Sequence, residues 1–316
     1  MIPINYIRLG RKNSVQYLIH INNILNKNEI SSINAILIKK FQDIVPKLII
    51  QLHLKQTHLF TMNILLTNDD GIYADGLWAL YDKLIPRHFV TVVAPDRERS
   101  AVGHGITLHQ PLRTTKITVN NGCQGYAVDG TPVDCIKIGL MEILEMKPDM
   151  VISGINPGAN VGVNINYSGT VAAAKEATLY KVPAISISIQ GRKASAYDYA
   201  AIFTATLAEN VYEKGLPFGT FLNVNIPDIP KNKIKGVRIS RQETALYNEF
   251  VEKRVDPRNR TYYWHGTDGQ TSFKTPESDG TALNENFISI TPIQCDATDY
   301  AMLEELKDWN IKGFKF

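Results

Sequence analysis

Cysteine is scarce in this 316-residue sequence: Cys123, Cys135 and Cys295 are the only three. They are odd in number and too widely spaced for a disulfide framework or a Cys-x-x-Cys metal site. Such usage suits a reducing compartment, and a cytoplasmic protein is expected. Long apolar runs are missing as well; none approaches the roughly 20 residues that cross a bilayer, which excludes a spanning helix. Acidic residues are sparse only at the start, where residues 1–61 hold 8 Lys and Arg against 2 Asp and Glu. The remaining 62–316 hold 26 basic against 29 acidic side chains, so the overall charge of +3 belongs to the N-terminal stretch. The main body therefore lacks the basic footprint of a protein that binds a nucleic-acid polymer. No internal repeat is present.

What is there is ample apolar content, 44% of residues, enough for one large domain or two smaller ones. Residues 1–61 are rich in Ile, Asn and Lys and lack the ordered parts of a signal peptide. Within them, 35–54 could form a basic amphipathic helix broken at Pro46, the pattern of a transit peptide or surface anchor. The plainer expectation is a loose appendage or a mis-set start, with Met62 opening the folded chain.

From Met62 onward, strand and helix patterns alternate, which predicts an α/β fold with a mostly parallel sheet and helices on its faces. Strands are expected at 62–67, 90–95, 149–154, at "VPAISISI" and at "TFLNVNIP", with a hairpin around 105–128. Helices are expected near 75–85, after "DGTP" with Thr131 as N-cap, near 170–180 and over 196–213. Beyond about 230 the chain turns polar and turn-rich, ending in "FISITPI" and a helix near 298–309. This suggests a core over about 62–230 and an extension over about 231–316, either arms that pack on a partner subunit or a β-rich subdomain.

Four polar clusters fall where such sheets bind ligands, beyond the carboxyl ends of the strands. In "NDDG", Asp69 and Asp70 are adjacent anions that a hard divalent cation would stabilise together, with Gly71 allowing the tight turn. The alternative is that Asn68 and Asp70 make an Asx turn and cap the next helix. In "PDRERSAVGHG", Ser100 offers a neutral oxygen ligand, while Arg97, Glu98 and Arg99 read as a solvated loop. An alternative role for Asp96 is to grip a ribose, although the first turn lacks the GxGxxG of dinucleotide sites. Asn156, between Gly154 and Gly158, offers an amide oxygen or a turn. Ser168, Gly169 and Thr170 begin a helix and suit either a cap or a phosphate. His104 is a candidate proton donor or a loop bystander, and His265 in the tail has a weaker claim. Tyr247, Tyr262, Tyr263 and Trp264 either stack on a base or simply pack.

Taken together, "MNILLTNDDGIYADGLWAL", "VVAPDRERSAVGHGITL", "VDGTPVDCIKIGL", "PDMVISGINPGANVG", "YSGTVAAAKEA" and "FISITPI" resemble the SurE family of stationary-phase survival proteins, which are metal-dependent 5'/3'-nucleotidases. The resemblance covers essentially all of 62–316. It implies a Rossmann-like domain whose C-terminal extension assembles homodimers or homotetramers. It implies hydrolysis of nucleoside 5'- and 3'-monophosphates, with short polyphosphate as a further substrate; the competing reading is a sensor that binds nucleotide without turnover. It further implies one divalent cation per subunit, Mn²⁺ or Mg²⁺, on Asp69, Asp70, Ser100 and Asn156. Phosphate would be held by Gly103, Ser168, Gly169 and Thr170, with Asp69, Asp70 and His104 as catalytic residues. The chain has Gly105 where relatives often carry serine and Asn164 where aspartate is common.

Overall fold

The computed structural model describes residues 61–119, 122–191, 196–244, 249–267, 273 and 275–309. The amphipathic stretch 35–54 and Tyr247 lie outside them. At the centre of the sheet is β1 (Asn63–Thr67), whose alternating side chains leave on opposite faces. Ile64 and Leu66 join one apolar cluster, with Leu77, Leu80 and Ala201; Leu65 joins another, with Ile136, Ala173 and Ala177. A strand buried on both faces must be apolar throughout, and this one is.

The first cluster is covered by α1 (Asp75–Leu84) and α4 (Tyr197–Lys214), the second by α2 (Pro132–Ile138) and α3 (Gly169–Leu179). Helix α1 presents Leu77, Leu80 and Leu84 inward at the spacing expected of an amphipathic helix. Helix α2 begins as predicted, with Thr131 and Asp134 satisfying each other's backbone N–H groups. The remaining strands are β2 (Phe89–Pro95), β3 (Thr114–Thr118), β4 (Gln124–Val128), β5 (Met150–Pro157), β6 (Ala184–Ile189), β7 (Thr220–Ile226) and β8 (Gly236–Ile239). After them come β9 (Glu249–Val255), β10 (Thr261–Thr267), α5 (Asp279–Asn284), β11 (Phe287–Gln294) and α6 (Tyr300–Lys307).

Nine strands form one sheet in the order β3-β4-β2-β1-β5-β6-β7-β11-β8. Pairing is parallel except at β3–β4 and β7–β11. The chain therefore runs outward in one direction through β2 and in the other through β5 and β6. The reversal beside β1 is the place where open α/β sheets form their ligand crevice.

Two local expectations change. The segment after Gly154 was expected as loop, yet β5 continues to Pro157 with a register shift between Ser153 and Asn156, and Asn156 pairs with Ser188. Gly154 permits this, since a Cβ there would lie 2.3 Å from the Ile187 carbonyl oxygen. The stretch "FISITPI" does not stay within an appended region: β11 inserts between β7 and β8, with Ile288, Ser289, Ile290 and Thr291 all buried. The separate β9–β10 hairpin is antiparallel and shares no sheet with the core.

Leu77→Ala removes a fully buried side chain from the α1 face, and urea melts are expected to report a loss of about 2–5 kcal/mol. A loss under about 1 kcal/mol would contradict this account of the core.

Candidate active site

The polypeptide leaves β1 directly into Asn68, Asp69 and Asp70. Asn68 makes the Asx turn, its side chain donating to the Gly71 carbonyl at 2.9 Å and accepting from the Gly71 N–H at 3.2 Å. The cap half of that alternative fails for Asp70, because the N-cap of α1 is Ala74, with no side-chain cap bond. Asp70 is thus left without a structural task. Gly71, at φ +100°, lies so close to the next loop that a Cβ would sit 2.9 Å from the Arg97 carbonyl carbon. That approach locks the loops after β1 and β2 together, as does the Arg99 N–H donating to the Asp69 carbonyl at 2.6 Å.

A cavity of about 580 Å³ opens at this junction, lined by Asp69, Asp70, Ser100, Asn156 and Ser168 among others. Three stretches distant in sequence meet here, 69–70, 98–101 and 156–168. Asp69 is only 4% exposed, and one of its oxygens accepts the Thr170 hydroxyl. Burial pushes the Asp69 carboxyl above its ordinary range, opposed by the bonds from Thr170. Asp70 is pushed up to about 7, first by burial and then by the neighbouring charges of Asp69 and Glu98. Its Oδ2 is buried with no hydrogen-bond partner.

These observations meet the test for a hard cation. Two carboxylates that resist ionisation, one with an orphaned oxygen, need a positive charge close by. Ser100 and Asn156 add a hydroxyl and an amide to the same cavity, so the donors are all oxygens, the set Mg²⁺ or Mn²⁺ prefers. Asn156 donates Nδ2 to the Gly158 carbonyl at 2.6 Å, which leaves its amide oxygen for a ligand. Among the described residues no group of three or more His, Cys, Asp or Glu could hold a metal. A cation held here would therefore rely on neutral donors beside the pair.

The phosphate candidates divide. Ser168 lines the cavity as N-cap of α3, accepting from the Val171 N–H. Gly169 serves close approach, since a Cβ would lie 2.9 Å from the Asp69 Cβ. Thr170 spends its hydroxyl on Asp69, which makes it a support for the carboxylate. Gly103, at φ +55°, gives its N–H to the Tyr167 carbonyl at 3.0 Å and fastens two cavity-forming loops to each other.

His104 does not line this cavity; it faces a neighbouring one, with its Nε2 2.7 Å from Glu176 Oε2. Asp96 is occupied by Arg99 at 3.1 Å and is not a lining residue, so the ribose alternative has no footing in the cavity. His265 sits in β10, away from the crevice-forming loops.

Sequence reasoning read Glu98 as part of a solvated loop, noted Asn164 only as a departure from the family pattern and passed over Asn160; all three line the cavity. Glu98 accepts the Ser100 hydroxyl at 2.7 Å, and its place two residues before Ser100 was the available signal. Asn160 is clamped: its carbonyl accepts from the side chains of Asn223 and Asn225, its N–H donates to Asn225, and its own amide donates to Ser188. Buried Asp279 does the same further along, accepting the Gly162 N–H at 2.8 Å. These contacts fix the segment carrying Asn156.

Glu176, buried on α3, receives His104 and Lys137 Nζ at 2.8 Å. Burial opposes its ionisation, but the bonds from His104 and Lys137 outweigh burial and hold its carboxyl below the ordinary range. A depressed acid contributes stability above its unfolded pKa and loses it as pH falls through the folded value. Glu176→Gln is therefore expected to lower the melting temperature most near pH 7, with the gap narrowing below about pH 4. A gap independent of pH would contradict the ion-pair account.

The family model described as Survival protein SurE matches residues 64–249. A 5'-nucleotidase SurE from Desulfatibacillum aliphaticivorans is 54% identical over 79% of this chain and 99% of that protein. Another from Heliobacterium modesticaldum is 46% identical over 78% of this chain and 92% of that protein. The crystal structure of the Sure protein from Aquifex aeolicus superposes with a TM-score of 0.69 at 38% identity, covering 78% of this chain and 98% of that one.

Proposed function

The chain belongs to the SurE family, and from that premise we propose that it is a metal-dependent phosphomonoesterase that releases phosphate from nucleoside 5'-monophosphates. The reading extends to 3'-monophosphates and short polyphosphate. The observation that carries it is the buried, unpaired oxygen of Asp70 beside Asp69 in a cavity with Ser100 and Asn156. Curated relatives named 5'-nucleotidase support the substrate class.

In this mechanism Asp69, Asp70, Ser100 and Asn156 would hold one Mn²⁺ or Mg²⁺. When bound, such an ion neutralises phosphoryl oxygens and lowers the pKa of a water. The protein's own groups supply the rest. Asp69, oriented by the Thr170 hydroxyl, accepts the proton of the attacking water. The first turn of α3, with Ser168 at its cap, directs its positive end at the phosphate. Asn164 stands on the cavity wall as a neutral donor toward the substrate, and with Asn164 in place of an acid the wall repels anions less. His104, held by Glu176, has an accessory role.

Asp70→Asn is expected to lower phosphate release from AMP in Mn²⁺ by at least about 1,000-fold, with unchanged circular dichroism. It should also raise the melting temperature of the EDTA-treated protein, since a carboxyl with a raised pKa destabilises the fold as pH climbs above its unfolded value. Wild-type hydrolysis undiminished by EDTA would sink the proposal. Nucleotide binding without phosphate release would turn it into a sensor. His104→Ala is expected to lose far less activity than Asp70→Asn.

Assembly into a homodimer or homotetramer through the region after about 231 completes the reading. The β9–β10 hairpin leaves Phe250, Val251, Tyr263 and Trp264 each more than half exposed among the described residues, and exposed apolar side chains on a two-stranded hairpin call for a partner. Replacing Tyr263 and Trp264 together by Ser is expected to reduce the molar mass seen by light scattering; an unchanged mass would remove the hairpin from the interface. No described helix is long and apolar enough to cross a membrane, and a cytoplasmic setting is proposed from the sparse cysteines.

A further inference from the structure

A second cavity of about 500 Å³ lies behind the wall of the first. The two share that wall residue by residue. Asn164, Tyr167 and Ser168 face the Asp69–Asp70 cavity, whereas Ile165, Asn166 and Val171 face the second. The Gly103–Tyr167 hydrogen bond runs between them, with His104 on the far side. Of its lining residues, His104 alone enters the hydrolytic scheme, in an accessory role.

Its lining has a definite chemistry. Lys175 on α3 and Arg241 after β8 supply two permanent cations, and His104 a third nitrogen base. Among the described residues no carboxylate forms an ion pair with Lys175 or Arg241, and neither has an interaction beyond those given. The acid on the rim, Asp296, is committed to the turn before α6, accepting the Thr298 N–H at 2.9 Å and the Tyr300 hydroxyl. Glu176, behind His104, is neutralised by Lys137. Ile165, Val171, Pro292 and Ile293 add apolar lining to the same cavity, and Asn166 and Gln242 add amides. Cations without an ion-pair partner, apolar side chains and amides around one cavity make a site for an amphiphilic anion. The volume falls within the range of small-molecule pockets.

We propose that this cavity is a separate binding site for an organic phosphate of nucleotide size, its phosphate on Lys175 and Arg241 and its planar body against Ile165, Val171 and Ile293. It is a second site on the molecule and needs no turnover. Its wall is continuous with the first site through the opening turns of α3, where Thr170 bonds Asp69 and Lys175 reaches the second cavity.

The test is equilibrium dialysis of the full chain against ADP in EDTA, where cation-dependent capture of phosphate at the Asp pair is suppressed. One ADP is expected to bind per chain. Lys175→Gln combined with Arg241→Gln is expected to weaken binding at least about tenfold. The same pair should leave the Mn²⁺-dependent hydrolysis of AMP within about twofold. Asp70→Asn is expected to bind ADP as wild type does. No ADP bound at millimolar concentration, an unweakened double variant, or binding lost in Asp70→Asn overturns the proposal. So does pyrophosphate competing as well as ADP, because the apolar wall would then contribute nothing. Should the double variant melt early, Arg241→Gln alone, at an exposed position, gives the same reading. Binding is measured without turnover, so its failure and a failure of the hydrolytic reading are told apart.

Discussion

Two carboxylates on consecutive residues, held out of water where β1 ends, are the constraint around which the molecule is arranged. Burial and mutual repulsion both disfavour their ionisation, which is why Asp70 is pushed up to about 7. A protein gains nothing in stability from such a pair by itself. The arrangement makes sense where a cation balances the charge, and two other stretches, 98–101 and 156–168, bring oxygen donors and a helix start to the same point.

Much of the remaining structure keeps those loops in register. Gly71 and Gly169 are positions where backbone and carboxylate come within reach of their neighbours, and a methyl group at either would collide. Thr170 fixes the rotation of Asp69. On the other side, Asn223 and Asn225 take up an inward face of β7 that would otherwise be apolar, and spend it on the backbone of Asn160. Polar groups buried this deeply are tolerated because each is bonded. Even the C-terminal part contributes, through Asp279 and Gly162.

The relation between sequence and site differs from residue to residue. The strand–helix alternation and the apolar faces of β1 and α1 were legible, since periodicity follows directly from burial. Thr131 and Pro132 announced α2 for the same local reason. Asp69 and Asp70 stood out because acids are poor strand neighbours. Glu98 and Asn164 did not, because a charged or amide residue in a loop looks the same whether it faces solvent or a cavity. His104 was assigned by proximity in sequence to the second cluster, and the structure gives it to Glu176 and a different cavity. Likewise β11 read as part of an appendage, because nothing local indicates that a late strand will insert between β7 and β8.

The sequence alone determined the layers of the fold, the starts of its helices and the presence of an acid pair at the end of a buried strand. All of these are set by neighbours a few residues away, through side-chain alternation, helical period and capping. Which residues share a cavity with that pair was decided only by the tertiary structure. Ser100, Asn156 and Ser168 reach it through the order in which strands pair, and pairing order depends on contacts between segments dozens of residues apart. That dependence leaves no local trace.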